Sequence, residues 1–343
     1  MPNLRKISRE KRQEMQRAFE QAVQQIRDDA VIKDIEARLE AGDVDGVLRI
    51  LGISEAAFEP MQEALRQAYR TGGKTGAEQI GKIPTPEGEI AFRFNVRNQR
   101  AEEWVRRESS RLIVEVVEDQ KEMVRERMQA ALAQGRNPRS SALDLVGRID
   151  QQTRKRVGGF IGTTQRQAEW SARARDELEN LDSNYFTREL RDKRFDARVR
   201  KAIEKGEPLD QKTIDRAITQ MQARTQRYRG ETIARTESIN ALRGGQHESL
   251  EQAMEEGEVN PDDVTRTWDA TLGSRTRGQH ASMNGQTRQK GEPFTAPDGS
   301  RMMHPGDTSL GATAENIINC RCQERVTIDF AGQQRKIEGF SDG

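Results

Sequence analysis

The sequence predicts a mainly α protein, with an elongated multi-helix N-terminal region followed by a small α+β C-terminal domain. Hydrophobic residues make up only 33% of the 343 residues and aromatic residues 5%, which is too little for one thick core in a chain of this length. Apolar residues recur at helical spacing as far as about residue 256, and short alternating segments follow. Helices that each bury a narrow apolar stripe suit so polar a chain. Partial disorder is the alternative, but a net charge of only +1 argues against it.

Composition and breakpoints divide the chain into four consecutive parts. We expect an N-terminal helical arm at 1–85, an Arg-rich body of long helices at 86–256, a small α+β domain at 257–330 and a tail at 331–343. Residues 86–230 carry 31 Lys and Arg against 24 Asp and Glu. Solvated helices with Arg–Glu pairs explain this excess, and contact with nucleic acid or with an acidic protein ring is the alternative. The excess is too small to indicate tight DNA binding.

Capping residues and glycines set the predicted helix boundaries in the first 256 residues. Ser54, Ser141 and Asp210 are typical N-cap residues, whereas glycine pairs such as Gly72-Gly73 are expected to end helices. "GKIPTPEGE" at 81–89 is predicted to be a turn-rich linker, and "IAFRFNV" at 90–96 a short strand. We expect helices over Leu4–Ala41, Val44–Leu51, Ser54–Tyr69, Gln99–Gln134, 141–157, Gln165–Leu181, 185–205 and, in one continuous pattern, Gln211–Glu256.

The pattern changes after residue 257. "VTRTW" at 264–268 alternates like a strand, and "SRTRGQHASMNG" at 274–285 is typical of one or two helical turns that end at a glycine. Residues 290–311 contain three prolines and are predicted to be loop-rich. Alternation returns in "CQERVTIDF" at 322–330, which predicts an edge or hairpin strand.

The only two cysteines, Cys320 and Cys322, lie two residues apart on a segment that is predicted to be extended, so their side chains point to the same side. His280 and His304, two of the three histidines, belong to the same small domain. Two Cys and two His are a sufficient tetrahedral ligand set for Zn²⁺. We therefore predict a structural zinc site that stabilises a domain with little core.

Other interpretations of these residues stay open. The cysteines are small enough to be ordinary packed residues, with the histidines hydrogen-bonded or at the surface. A Cys–His nucleophile pair is a second alternative. A metal-dependent nuclease at His280 and Asn284 of "HASMNG" is a third, although hydrolytic metal sites usually contain more carboxylates. A Cys320–Cys322 disulfide is disfavoured by its tight closure and by a reducing cytoplasm.

Several functional classes lack sequence support. The sequence contains no run of about 18 apolar residues, so it predicts no membrane span. The basic N-terminal segment lacks the apolar core of a secretory signal. The sequence contains no Gly-rich phosphate loop, no G-x-S-x-G and no H-E-x-x-H motif.

The motif "ARTE" at 234–237 contains an arginine and a glutamate. Arg235 and Glu237 lie on different faces of a helix. We therefore expect them to join an Arg–Glu network that locks helices together rather than an active site.

The motifs "ETIARTESINALRGG", "WDATLGSRTRGQH", "MNG", "GEPF", "PGD" and "INCRC" follow one another between about Glu231 and Cys322. In this order and spacing the segment resembles the phage head morphogenesis family, the Mu F-like minor capsid proteins. Two positions depart from the family pattern: Gly273, where an acidic residue is common, and His304, where an aromatic residue is common. Family features map onto Trp268, Arg275, Thr276, Arg277, His280, Gly285, Phe294, Pro305, Gly306, Asp307, Asn319, Cys320, Arg321 and Cys322.

The resemblance implies a structural protein of a tailed bacteriophage rather than an enzyme. Such a protein would be made in the host cytoplasm, enter the procapsid, and lie inside the head near the portal vertex, in multiple copies in a ring or around the portal. Its expected partners are the portal protein, other capsid proteins and packaged DNA contacted through Arg-rich helices. It would act in assembly and in DNA packaging or ejection. The alternatives are a metal-dependent nuclease or toxin-like enzyme in the C-terminal domain, and a non-catalytic nucleic-acid-binding protein.

Overall fold

The computed structural model describes residues 4–337, and most of them are α-helical, which confirms the mainly α class. The longest helix runs unbroken from Gln211 to Glu255. Asp210 begins it as predicted, because the Asp210 carboxylate accepts the backbone N–H of Thr213 at 2.9 Å. The α-helices are α1 (Leu4–Asp29), α2 (Ile32–Glu40), α3 (Val44–Leu51), α4 (Glu59–Ile80), α5 (Gln99–Ala133), α6 (Pro138–Val146), α7 (Gln165–Glu179), α8 (Asp196–Lys205), α9 (Gln211–Glu255), α10 (Gly278–Ser282), α11 (Ala314–Ile317) and α12 (Phe330–Ile337).

The strands are short. They are β1 (Lys82–Thr85), β2 (Gly88–Ala91), β3 (Arg148–Ile149), β4 (Arg156–Val157), β5 (Val264–Asp269), β6 (Thr287–Arg288), β7 (Phe294–Thr295), β8 (Arg301–Met302) and β9 (Gln323–Ile328). A three-stranded antiparallel sheet in the order β6–β5–β9 lies in the C-terminal region, which confirms the small α+β part of the prediction. β9 is an edge strand of this sheet, and its register pairs Val264 with Ile328 and Asp269 with Gln323.

The chain forms two compact units, each assembled from separated segments. Of the described residues, the C-terminal unit contains 4–15, Gln62–Ser110 and 232–337, and the central unit contains Gln16–Met61 and Arg111–Glu231. The four consecutive parts expected from composition do not coincide with these units. The small α+β region packs in one unit with the last part of α9 and with the β1–β2 hairpin, because those elements share its apolar surface.

Glycines inside α4 and α9 allow the two helices to approach closely in the C-terminal unit. A Cβ atom on Gly72 would lie 2.0 Å from the carbonyl oxygen of Leu242, and one on Gly245 would lie 2.1 Å from that of Tyr69. Only a residue without a side chain leaves room for such backbone contacts. The prediction that a glycine pair ends this helix near Tyr69 is therefore wrong, since α4 continues well beyond it.

Two predicted helices begin or end elsewhere than expected. Asn137 rather than Ser141 begins α6, because the Asn137 side-chain oxygen accepts the backbone N–H of Ser140 at 3.0 Å. α6 is over well before the glycine pair at 158–159, and β3 and β4 occupy the segment between. The predicted N-terminal helix is divided into α1 and α2. The residue before α2, Val31, has no side-chain group that caps the helix, so the sequence contains no local signal of this break.

The predicted helix at 185–205 is helical only in α8. Before it, the Asp182 carboxylate accepts the backbone N–H of Asn184 at 2.8 Å, and the Asp192 carboxylate accepts that of Arg194 at 3.1 Å. Local acceptors of this kind favour turns over helix. Two 3₁₀ turns accordingly precede α8.

The predicted linker at 81–89 is the β1–β2 hairpin. Ile83 pairs with Ile90 across it, and only Ile83 is buried, whereas Ile90 is 41% exposed. Phe92 lies just beyond the hairpin and is buried in the same apolar cluster as Ile83. The sequence therefore predicts the turn correctly but misses β1, because one buried side chain gives too little alternation to recognise. The strand predicted at 90–96 is present only as the end of β2, and residues 92–96 are not in a strand.

Glutamine side chains support an irregular loop in the central unit. Residues 158–163 follow β4 without regular structure, so their backbone groups need partners outside a helix or a sheet. The fully buried Gln120 of α5 accepts the N–H of Gly162 at 2.7 Å and donates to the carbonyl of Thr163 at 2.8 Å. Gln226 of α9 donates to three further carbonyls of the loop at 2.7–3.0 Å. Both helices thus hold the loop through polar contacts.

Replacing Gln120 by leucine is expected to lower the free energy of unfolding by about 2–4 kcal/mol. The substitution keeps the side-chain volume but leaves an N–H and a carbonyl buried without partners. Gln129→Leu, at an exposed position of the same helix, is the matched control and should change stability by less than about 0.5 kcal/mol. Urea denaturation measures both, and equal effects would show that the loop does not depend on Gln120.

Arginines of the central unit form ion pairs in which at least one partner is buried. Asp144, 2% exposed, accepts from Arg148 at 2.9 Å and from Arg175 at 3.2 Å. Arg229 pairs with Asp119 at 2.8 Å. Burial lowers the pKa of Arg229 to about 10, with Asp119 acting in the opposite direction, so the guanidinium stays charged near neutral pH. Part of the arginine excess therefore serves the fold of this unit.

The C-terminal unit contains two apolar clusters. One joins the β1–β2 hairpin, the end of α9 and β5. The other surrounds Trp268 and contains both cysteines. The predicted tail at 331–343 is in part α12, which begins at Phe330 packed on the first cluster, and residues 338–343 lie outside the described residues. Between residues 4 and 337, no helix is long and apolar enough to cross a membrane.

Candidate metal centre

Three elements of the C-terminal unit converge on one buried cluster. α10 supplies His280, β5 supplies Trp268, and the segment that leads into β9 supplies Cys320 and Cys322. All four side chains are at most 3% exposed. Because β5 and β9 are antiparallel, the end of β5 lies beside the start of β9. This register brings the cysteines next to Trp268.

His280 faces both sulfur atoms. Its Nδ1 lies 3.4 Å from Sγ of Cys322 and 3.7 Å from Sγ of Cys320, and the three donor atoms all lie within 4.8 Å of one another. The Trp268 ring packs edge-to-face on the imidazole, with 5.7 Å between the ring centroids. One imidazole nitrogen and two sulfurs are donors that suit Zn²⁺.

Hydrogen bonds behind His280 fix its tautomer. Asn316, 1% exposed, donates its amide N–H groups to Asp298 at 2.8 Å and to Thr313 at 3.1 Å, so its side-chain oxygen must accept. Nε2 of His280 lies 3.2 Å from that oxygen and therefore carries the proton. Nδ1 is left with a lone pair directed at the sulfurs, and this is the form of imidazole that ligates a metal.

The two thiols are not equivalent. A hydrogen bond from Cys322 lowers the pKa of Cys320 well below its ordinary value; burial opposes the shift, and Arg243 and His280 add to it. The same hydrogen bond, together with burial, raises the pKa of Cys322. Because the thiolate is the form of cysteine that binds metals, a lowered pKa within this pair favours metal ligation.

Asn319 shapes the turn before the cysteines. Its φ of 57° lies in the left-handed region, which asparagine tolerates better than most residues. The Asn319 N–H donates to the Thr236 hydroxyl at 3.1 Å, and Arg243 donates to the carbonyl of Cys320 at 3.3 Å. Both partners belong to α9, so this helix fixes the loop that carries the thiols.

The structure brings together three of the four predicted ligands, and His304 lies outside their cluster. The His304 ring centroid is 5.2 Å from that of His247 in α9. The reason is the tight turn of "HPGD", in which the buried Asp307 carboxylate accepts the N–H of Met303 at 2.8 Å. This turn directs His304 towards α9 and not towards His280, so the prediction of a four-ligand set that includes His304 is corrected to a set of three.

His247 belongs to a second buried polar cluster. The Glu324 carboxylate in β9 lies 3.3 Å from Nδ1 of His247 and 3.1 Å from Arg266 of β5. Burial lowers the pKa of His247, but Glu324 outweighs it and the net shift is upward. Burial lowers the pKa of His304. These contacts tie α9 to the sheet and suit a structural role.

The other motif residues take structural or surface positions. Trp268 is fully buried, and Arg277 donates to a carbonyl of the loop before the cysteines. Arg275 is exposed. Arg235 is half-buried and forms no ion pair with residues that the structure describes. The expected network that locks helices through Arg235 and Glu237 therefore does not include Arg235.

Sequence patterns did not reveal the residues that orient the ligands. Asn316 lies four positions before Cys320, and its closeness to the cysteines was the one usable signal. Asp298 and Arg243 have no fixed spacing from His280 or from the cysteines, so only the fold brings them there. Their carboxylate and guanidinium groups could equally have belonged to solvated faces.

The cluster fits a zinc ion in donor type, in burial and in the hydrogen bonding of the imidazole. Structural zinc sites have four ligands, and this cluster supplies three. Within residues 4–337, no fourth His, Cys, Asp or Glu donor shares the group. A zinc ion held by these three residues would need one further ligand from outside the group.

Fold and cluster together define a predominantly helical protein whose small α+β region is built around a buried Cys₂His centre. Residues 193–325 match the family described as Phage Mu protein F like protein. The match confirms the predicted resemblance to the Mu F-like head morphogenesis family over this part of the chain. The matched segment begins at residue 193, well before Glu231, where the short motifs begin. No curated protein and no solved structure matches the chain.

Proposed function

We propose that the chain is a minor head protein that lies inside the head at the portal vertex and contacts the portal protein and other capsid proteins in several copies. The Mu F-like match over residues 193–325 carries this proposal. The protein enters the procapsid during assembly and acts in DNA packaging or ejection. Long amphipathic helices give such a protein the surfaces that it needs to join a ring of neighbouring subunits.

In this proposal the C-terminal region is a structural module and not an enzyme. His280, Cys320 and Cys322 hold zinc, and the ion cross-links α10 to the segment before β9. What supports a structural role is burial: a substrate cannot reach donors that are at most 3% exposed. The Asp298 carboxylate is engaged by Asn316 and so is a poor general base for the nuclease alternative.

Contact with packaged DNA through residues 86–230 has less to support it. The buried arginines of the central unit, Arg175 and Arg229 among them, pair with carboxylates. A buried guanidinium that already has a carboxylate partner gains little from a phosphate. Contact with portal and capsid proteins therefore leads the proposal.

Procapsids assembled with and without the portal protein test the proposed association. We expect this chain in portal-containing procapsids and its loss from shells that assemble when the portal gene is deleted. Quantitative immunoblotting against the major capsid protein measures the ratio. Equal incorporation in both kinds of shell would contradict portal association while leaving a head protein in place.

A further inference from the structure

An arginine-lined cleft lies in the C-terminal unit, between the start of α1, α9 and the segment before β9. Its volume is about 850 Å³. This is within the usual range of ligand-binding clefts in proteins, about 300–1,000 Å³. One carboxylate, Asp269, lines it against five guanidinium groups. These belong to Arg9, Arg12, Arg235, Arg243 and Arg321.

Most of this positive charge is not neutralised. Arg9, Arg235 and Arg321 have neither an ion pair nor a side-chain hydrogen bond with any residue that the structure describes. Arg12 donates to the backbone carbonyl of Ser8 at 3.2 Å. Burial lowers the pKa of Arg12, and the charges of Arg235 and Arg9 lower it further. Like charges thus face one another in a concave site, which attracts anions.

One of these arginines, Arg321, lies between the two cysteines of the candidate metal centre. Side chains alternate along an extended segment, so turning Cys320 and Cys322 into the core turns Arg321 between them outward, into the cleft. On the opposite wall, Arg235 lies next to Thr236, which accepts the N–H of Asn319. The contacts that hold the cysteine loop against α9 therefore also hold Arg235 and Arg321 on the same cleft.

We infer that this cleft binds the backbone phosphates of a nucleic-acid strand. The arginine fork matches phosphate oxygens in a bidentate manner, and Ser8, Thr271 and Gln246 add neutral hydrogen-bonding groups at the rim. Ile239 and the exposed Leu272 offer apolar surface for sugar carbons. None of the lining residues is aromatic, so the cleft has no platform for stacking bases. Binding is therefore independent of nucleotide sequence.

This inference goes beyond the proposed function and concerns residues outside the Arg-rich segment 86–230. It requires neither portal association nor a metal-dependent reaction. A binding assay on the purified full chain tests nucleic-acid binding by the cleft alone. A negative result there does not contradict the proposed role in the head, and absence from phage heads does not contradict binding by the cleft.

Fluorescence anisotropy with a labelled single-stranded 20-mer tests the cleft, over a salt series. The variant Arg235→Gln/Arg321→Gln is expected to bind about tenfold more weakly at low salt, and to reduce the slope of log affinity against log salt by about 2. The matched control is Arg166→Gln/Arg301→Gln, which removes the same charge from two exposed positions outside the cleft. It should bind like the wild type. Circular dichroism establishes that both variants are folded.

Other outcomes overturn the inference. The wild type failing to bind the 20-mer would do so, as would an equal loss of affinity in the cleft variant and the control. Competition by polyglutamate at the same concentration of negative charge as the unlabelled 20-mer would assign the cleft to an acidic protein segment instead. Arg235→Lys/Arg321→Lys keeps the charge, and we expect it to retain the salt slope but lose part of the affinity, because lysine cannot form the fork.

Discussion

Purified wild-type protein is expected to contain one zinc per chain, and purified His280→Gln protein is expected to contain none. The substitution removes the nitrogen donor that faces both sulfurs at 3.4 and 3.7 Å. Because structural zinc contributes directly to folding, we expect the free energy of unfolding to fall by at least about 3 kcal/mol. Elemental analysis by plasma mass spectrometry and urea denaturation measure the two effects.

His304→Gln is the matched control, since it removes the other histidine of the predicted set from an equally buried position. It will lower stability through its own packing but should leave the zinc content unchanged. A chelator should lower the melting temperature of the wild type and of His304→Gln and should not affect His280→Gln. If His304→Gln also loses zinc, or if the folded wild type contains none, the three-ligand assignment is wrong.

Gly72→Ala and Gly245→Ala are each expected to destabilise the protein by about 3 kcal/mol or more. Their new Cβ atoms would lie 2.0 and 2.1 Å from backbone carbonyl oxygens of the facing helix. Backbone atoms cannot rotate away as a side chain does, so α4 and α9 must separate and lose packing along their contact. Urea denaturation of the full chain measures the loss.

Gly332→Ala controls for the intrinsic effect of alanine in a helix. It lies within α12, and among the described residues no neighbouring atom lies within 4 Å of the place that an alanine Cβ would take. The substitution should be neutral or stabilising by up to about 1 kcal/mol. The double variant at positions 72 and 245 should lose less than the sum of the single losses, because one separation of the helices relieves both clashes. Stabilities of the single variants within about 0.5 kcal/mol of the wild type would show that the helices are not in such close contact.

The helical class was predictable because apolar periodicity and caps are local signals. Asp210 caps α9 in the structure as its side-chain chemistry predicts. Gly72 shows where local signals mislead. Glycine is favoured both at helix ends and where two backbones meet, and only the position of the facing helix distinguishes the two cases.

The sequence predicts which residues could be donors in the candidate site, but it does not predict how they are arranged in space. Cys320, Cys322 and His280 were identified from residue type and from extended spacing. His304 was equally eligible in the sequence, but the Asp307 turn directs it elsewhere. The Asn316–Asp298 pair that fixes the imidazole depends on contacts between residues far apart in the chain, which no periodicity encodes.

Quantitative mass spectrometry of gradient-purified phage particles and procapsids, produced from the genome that carries this gene, tests the proposed role in the head most directly. We predict that peptides from this protein are present at a fixed ratio to the portal protein and at far fewer copies than the major capsid protein. Complete absence from both mature particles and procapsids, in preparations where portal peptides are detected, would contradict its role in the head.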